Sequence, residues 1–329
     1  MGDVLMTTPL IRQLKNNNKD LHLDYLTSFS MASCLRSNVY LDNVLLLPDN
    51  AFSVKGLFKY IKFLLSIKKQ YDYIFILGKS TVINIITNIF TNAKLIGFSR
   101  GIISRLFLHK FIDYNNVNRY QVLYYLDLLN TMNIAADYND THMNLAFSEK
   151  DIDFVDNILQ RKNINQYVVV TNSGGNNHFE TSGIRMLPQD KIIDLLKKLV
   201  NQYHKIVLLG GKIDSNNYDY YIKQFPPNIQ NKLINFAGVF DINQSVYFLS
   251  KSKHFYTTDC GAMHLGLISG IGKSMTCFFG PTNPKHILPL NTAAKIIWQD
   301  EDIYNVNYQL YGKLNNKQYF KRLNIYEID

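Results

Sequence analysis

The sequence predicts an α/β protein made of two doubly wound domains with parallel sheets. Two observations carry this. Short apolar runs alternate with longer stretches of helical period, the pattern of βαβ units. The alternation also occurs twice, on either side of a polar stretch without a clear period, around residues 134–147. The expected domains are residues 1–147 and 148–329.

In chain order, the strands expected in the first half are 21–27, 44–47, 73–77 and 94–97. The helices expected there are 4–15, 57–69, 81–90 and 119–132. Ser148, followed by Glu149 and Asp151, reads as the N-cap that opens the second half. Its expected strands are 167–171, 205–209, 254–257, 274–278 and 295–298. Its expected helices are 149–161, 189–201, 215–224, 243–251 and 262–269. The chain opens on Gly2-Asp3 at a helix start with no strand before it. A doubly wound domain normally begins with its central strand. The expectation is therefore that the first strand is missing and that roughly six to ten apolar, β-branched residues belong upstream, since a strand buried on both faces reads that way.

The 329 residues are 47% hydrophobic and 19% charged, which excludes global disorder and fibrous architectures. Cys34, Cys260 and Cys277 are odd in number and widely spaced, which argues against a disulfide framework or a zinc site. No apolar run approaches a membrane span, and the N-terminus lacks the pattern of a secretory signal. The expected location is cytoplasmic, with peripheral docking on the inner face of the cytoplasmic membrane. Net charge is +9, a balance that favours anionic partners. Within residues 55–119 there are 11 basic residues against Asp72 and Asp113, so this window alone carries +9. Two basic, apolar stretches, 55–69 and 101–112, lie inside it. Lys55, Lys59, Lys62, Arg100 and Arg105 are the candidate acceptor and membrane face. No aromatic-basic platform or recognition-helix motif supports a nucleic-acid partner.

Four segments sit where strands should end, the edge at which open α/β sheets bind ligands. The first is Gly2-Asp3-Val4-Leu5 with Thr7-Thr8-Pro9. Its Asp3 lies near the positive end of a helix dipole, where N-capping is the plain alternative. The second runs from Asn172-Ser173-Gly174-Gly175 to Arg185-Met186-Leu187-Pro188. Backbone N–H groups of such a loop cradle phosphate, and Arg185 adds a charge-assisted donor. It matches neither the P-loop nor the dinucleotide fingerprint. The third is Gly210-Gly211-Lys212 with Asp214, which reads as a ribose acceptor or as a helix cap. The fourth is Thr258-Asp259-Cys260-Gly261-Ala262-Met263-His264, where small residues let a pyrophosphate reach a helix N-terminus. Phe279-Gly280-Pro281-Thr282-Asn283-Pro284 follows as a further strand-end loop. Asp151-x-Asp153 falls in a helical stretch, so no Asp-x-Asp metal motif ends a strand.

These segments, in this order, resemble the bacterial lipopolysaccharide heptosyltransferases of glycosyltransferase family 9. The resemblance spans nearly the whole chain. It implies a GT-B fold, two Rossmann-like domains facing across a cleft, the first taking acceptor and the second donor. It implies inverting, metal-independent transfer of a heptose from an ADP-sugar to a lipid-linked glycan such as a lipopolysaccharide core. No cofactor is expected. The resemblance makes Asp3 the catalytic base. It places Arg185, Asp259, Gly261, Met263 and His264 on the donor, and the strand-end loops add Ser173, Gly174, Gly211, Asp214 and Cys260 as candidate donor-binding residues. Two departures stand out: Leu187 occupies the family's usual Trp, and Cys260 replaces its usual Thr or Ser. The alternatives are a different nucleotide-sugar on the same fold, or a catalytically silent nucleotide-sugar binder.

Overall fold

A computed structural model describes residues 1–51, 53, 56–174, 183–304, 306–311 and 318–328. The chain forms two compact units, divided between Asn144 and Leu145.

The first unit opens with α1 (Gly2–Met6) and α2 (Thr8–Asn17). The single helix expected over 4–15 is broken at Thr7. The Thr7 hydroxyl donates to the Val4 carbonyl at 2.7 Å, and Pro9, in the first turn of α2, has no N–H to continue the ladder. Then come β1 (Asp24–Ser28), β2 (Asn43–Leu47), α3 (Leu57–Ser66), β3 (Tyr73–Ile76) and α4 (Thr81–Phe90). The unit continues with β4 (Lys94–Ser99), α5 (Ile102–Leu106), β5 (Lys110–Asp113) and α6 (Gln121–Asn130). All its strand pairs are parallel. Among the described residues they form two sheets, β1-β2 and β3-β4-β5, with no strand joining β1 to β3. The polar stretch after α6 is held by side chains of α2, with Gln13 donating to the Asp137 and Asp140 carbonyls and Thr8 accepting from the Asn144 N–H. Arg12 of α2 is buried, grips both carboxylate oxygens of Asp140 at 3.0 and 2.7 Å, and donates to the His142 carbonyl.

The second unit starts with α7 (Glu149–Arg161), whose capping box pairs Ser148 with Asp151. It continues with β6 (Val168–Thr171), α8 (Gln189–Gln202), β7 (Ile206–Leu208), α9 (Ser215–Lys223), α10 (Pro227–Gln230) and β8 (Leu233–Asn235). After them come α11 (Ile242–Ser250), β9 (Phe255–Thr258), α12 (Gly261–Ile268), β10 (Met275–Phe278), α13 (Pro284–Ile287) and β11 (Lys295–Ile297). The sheet is wholly parallel in the order β11-β10-β9-β6-β7-β8. Every residue of β6 is buried, as a strand covered on both faces requires. Helix α8 buries Ile192, Leu195, Leu196, Leu199 and Val200, a stripe at helical spacing that packs on this sheet. The strand order reverses direction at β6, flanked by β9 and β7. The loops after β6 and β9 therefore share one crevice.

Candidate functional site

In the second unit the crevice is built from strand-end residues. Asn172 leaves β6 fully buried, donates to the Leu187 carbonyl at 3.1 Å and accepts from the Leu187 N–H at 2.8 Å. This clamp draws the far end of the loop back to the strand, although residues 175–182 between them, Gly175 included, lie outside the described residues. Leu187 thus stays a buried hydrophobe while Arg185 stands two residues away. The Arg185 guanidinium lies 3.7 Å from the Asp259 carboxylate, at the end of β9. Thr282, from the loop after β10, donates to the same carboxylate oxygen at 2.6 Å. Thr258 donates to the Ser173 carbonyl at 2.9 Å and ties the β6 and β9 loops together. Cys260 is the extended residue before α12, so Gly261 begins the helix and its amide end faces the crevice edge.

The other candidates of this unit have plainer positions. Cys260 and Met263 are buried, and burial pushes the Cys260 thiol up. Met263 is fully enclosed. His264 is buried on the first turn of α12. Asp214 is buried and caps the turn before α9, accepting from the Gly211 N–H at 2.8 Å. Burial raises its pKa, partly offset by that bond. A cavity of about 550 Å³ under residues 183–191 and 318–321 is lined by none of the candidate residues. Ser173 lies two residues beyond β6 with its carbonyl bound by Thr258, and Gly174 follows it in the same loop.

In the first unit Asp3, exposed on α1, lines a cavity of about 250 Å³ with Val4, Thr7, Tyr25, Leu77, Gly78, Lys79, Gln121 and Tyr125. The sequence reading missed most of this wall. Lys79 follows β3 and donates to the Tyr114 hydroxyl at 2.7 Å and to Gln121 Oε1 at 3.1 Å. Its ammonium also sits 4.0 Å above the Tyr114 ring centre. Gln121 Nε2 donates to the Tyr125 hydroxyl at 2.7 Å. Desolvation lowers the Lys79 pKa to about 8, with Asp3 opposing the shift and Arg100 adding to it. Burial raises Tyr25 to about 12 and pushes Tyr114 and Tyr125 higher still, so all three phenols stay protonated. A basic residue directly after a strand-end glycine was the available signal for Lys79.

The basic face divides. Lys59 and Lys62 are exposed on α3, whereas Lys55 lies outside the described residues. Arg105 is bound at 2.9 Å by both oxygens of Asp113 and lies over the Phe111 ring, so its charge is largely matched. Arg100 donates to the Lys79 carbonyl at 3.1 Å. Between them Ile102, Ile103 and Leu106 of α5 are 77%, 63% and 75% exposed, an apolar tip that needs another explanation than packing. Among the described residues no helix is long and apolar enough to cross a membrane, and no three His, Cys, Asp or Glu gather to hold a metal ion.

The sequence profile described as Glycosyltransferase family 9 (heptosyltransferase) matches residues 61–309, well over half of the chain. The chain belongs to glycosyltransferase family 9. Among curated proteins, lipopolysaccharide heptosyltransferase 2 of Salmonella typhimurium is 26% identical over 110 residues, 33% of this chain and 31% of that protein. Lipooligosaccharide heptosyltransferase 2 of Haemophilus ducreyi is 29% identical over 103 residues, 31% of this chain and 30% of that protein. These matches span about a third of the relatives' length. Among solved structures, a family 9 glycosyl transferase from Veillonella parvula has a TM-score of 0.73 at 17% identity, covering 91% of this chain and 83% of that one. The E. coli ADP-heptose lps heptosyltransferase II has a TM-score of 0.72 at 18% identity, covering 92% of each chain. At such identities the likeness establishes the fold, the GT-B architecture of two doubly wound α/β units.

Proposed function

We propose that this family 9 protein is an inverting glycosyltransferase that moves a heptose from an ADP-sugar to a lipid-linked glycan of the lipopolysaccharide core. The observation that carries the reading is the convergence of Arg185, Asp259, Thr282 and the α12 amino end at the reversal point of a parallel sheet. That arrangement suits a diphosphate. Unpaired N–H groups and a guanidinium meet the negative charge that grows on a departing nucleoside diphosphate. The Asp259 carboxylate, bound by Thr282, orients Arg185. Its remaining acceptor capacity suits sugar hydroxyls.

Asp3 is the general base. Its carboxylate takes the proton of the acceptor hydroxyl as that oxygen attacks the anomeric carbon from the face opposite the leaving diphosphate, so the configuration inverts. The anomeric centre passes through an oxocarbenium-like state, and the carboxylate stabilises it electrostatically. Arg185 and the helix end neutralise the diphosphate in place of a divalent cation. Relatives with known structures support the donor class: one E. coli heptosyltransferase was determined with ADP. The lipid-linked acceptor places the protein at an anionic membrane surface, with α3 and α5 as the docking elements.

The deciding experiment mixes the protein with ADP-heptose and a lipid-linked core acceptor, beside UDP- and GDP-sugars, and follows nucleotide release and product. The expected outcome is acceptor-dependent ADP release, a product of inverted anomeric configuration and no loss of rate in EDTA. Release from a UDP- or GDP-sugar alone would reassign the donor. A strict Mg²⁺ or Mn²⁺ requirement would refute the metal-independent mechanism. Binding of ADP-sugar without turnover would mark a silent relative.

A further inference from the structure

We propose that Phe320 and Asp300 are positioning residues for the donor's diphosphate: Asp300 holds Phe320 in a left-handed backbone, and the Phe320 ring seats the loop that carries Thr282. The inference rests on the reading of the second unit as the donor site.

The starting point is a backbone outlier. Among the described residues three non-glycines have positive φ, Asn133, Asn163 and Phe320. Asparagine tolerates the left-handed region, whereas a bulky residue such as Phe is strained there. Phe320 has φ 63° and is buried. Such a conformation persists only where its surroundings impose it, and strained residues cluster at functional sites. Two contacts impose it here. The Phe320 N–H donates to Asp300 Oδ2 at 2.7 Å, and that carboxylate is itself buried. The Phe320 ring lies against Gly280, where a Cβ would stand 2.7 Å from the ring and 3.0 Å from Tyr319 Cβ. A glycine is what leaves room for this approach.

Gly280 is where the strained segment meets the site. β10 and β11 are parallel neighbours with Phe278 opposite Ile297, so Gly280 and Asp300 leave the same edge of the sheet. Gly280 lies two residues before Thr282, whose hydroxyl binds Asp259 at 2.6 Å. Its own carbonyl accepts from the Trp298 indole at 3.3 Å. The loop after β10 is thus held from behind by Trp298, Tyr319 and Phe320. The same segment backs the other half of the crevice. Tyr319 and Phe320 share one buried cluster with Leu187 and Phe278. They also line the cavity under Ile184 and Met186, the chain neighbours of Arg185. One strained residue therefore supports both loops that supply Arg185 and Thr282. A Thr282 loop that slips back lengthens the bond to Asp259, and Asp259 then takes the guanidinium that the diphosphate needs.

The test compares ADP with adenosine, which lacks the diphosphate, on the full chain, with binding followed by ligand-observed NMR. Phe320→Gly permits the left-handed backbone, keeps the N–H for Asp300 and removes the ring. It is expected to weaken ADP binding about tenfold, as the loss of one hydrogen bond to a charged group does, and to leave adenosine binding unchanged. Asp300→Ala is expected to act alike, and Asp300→Asn, which keeps an acceptor oxygen, to retain most of the affinity. A residue that merely stabilises the fold lowers the melting temperature and leaves both affinities of the folded protein as they were. That result overturns the proposal, as does an equal loss for ADP and adenosine. Should Phe320→Gly fail to fold, Phe320→Leu, which keeps an apolar side chain in the core, makes the same comparison. Trp298 is the one tryptophan of the chain, so its emission without ligand reports on the Gly280 loop. The emission is expected to shift in the Phe320 variant, and emission identical to wild type overturns the seating of the loop. A wild type that binds no ADP refutes the donor reading, while the Trp298 signal still decides the seating.

Discussion

The Thr282 hydroxyl donates a 2.6 Å hydrogen bond to the Asp259 carboxylate oxygen that also faces Arg185 at 3.7 Å. One oxygen is thus shared by a neutral donor and a cation from two different strand-end loops. Thr282→Val removes the neutral donor and leaves the shape. Asp259 then relies on Arg185 alone, and the guanidinium is drawn toward it and away from a diphosphate. Arg185→Ala is expected to weaken ADP binding by about 1.5–3 kcal/mol, the range for a bond to a charged group, and Thr282→Val by less. Isothermal titration with ADP checks both, and unchanged affinity in Arg185→Ala would remove Arg185 from the donor site.

Asp3→Asn keeps the shape of the cavity wall and removes the base. Turnover is expected to fall by roughly two to four orders of magnitude, the usual span for a lost general base, with ADP affinity nearly unchanged. Steady-state nucleotide release is the measurement. A variant that turns over like wild type would show that another group takes the proton.

Stability should depend on pH through His254. Burial first, then the charge of Lys295, lowers its pKa below 6.5. The folded chain therefore holds this proton less tightly than the unfolded one. The stabilisation is present in full above about pH 6.5 and is lost as pH falls through the lower folded value. His254→Gln keeps a polar partner for Thr276, now 2.9 Å from the ring nitrogen, and removes the titration. Its melting temperature should fall less on acidification than that of wild type. Parallel curves would assign the acid sensitivity elsewhere.

The sheet-to-helix contact in the second unit is tight at Gly266. A Cβ there would stand 2.7 Å from Phe255 and 3.1 Å from the Met275 sulfur, both buried. Overpacking of this kind costs about 1–3 kcal/mol, which makes Gly266→Ala melt several degrees lower. Equal melting temperatures would show that β9 and α12 can separate without loss.

The apolar tip of α5 offers a direct test of membrane docking. Wild-type protein is expected to bind vesicles containing anionic phospholipid, with binding fading as salt rises. Ile102→Asp combined with Leu106→Asp should remove most of it while turnover on a detergent-dispersed acceptor persists. Salt-independent binding, or binding untouched by the double substitution, would return the basic window to an ordinary solvated face.

Much of this was legible in the sequence because the physics was local. Helices α4 and α7 begin at Ser80 and Ser148 caps and fall where the sequence placed them, Thr81–Phe90 and Glu149–Arg161. The apolar runs of β6, β9 and β10 stand out because both faces are covered. Strand β8 is only three residues long, too short to show a period, and β5, Lys110-Phe111-Ile112-Asp113, has charges at both ends and no alternation, at the end of the basic, apolar stretch 101–112. The Lys79 network escaped for a different reason. Its partners Tyr114 and Gln121 lie 35 and 42 residues away, and only the fold brings them to the end of β3. The donor crevice was easier, since glycines, an acid and a helix start crowd into a few consecutive residues.

All three cysteines are buried, and burial pushes each thiol up, away from the reactive thiolate. Cys34 belongs to the first unit, Cys260 and Cys277 to the second. Modification by a thiol reagent therefore requires local opening, and its rate counts those openings. Peptide mapping of the labelled sites turns the native cysteines into separate clocks for the loosening of each half, with no engineered probe. A cysteine introduced at an exposed position such as Ile103 would label long before any of them.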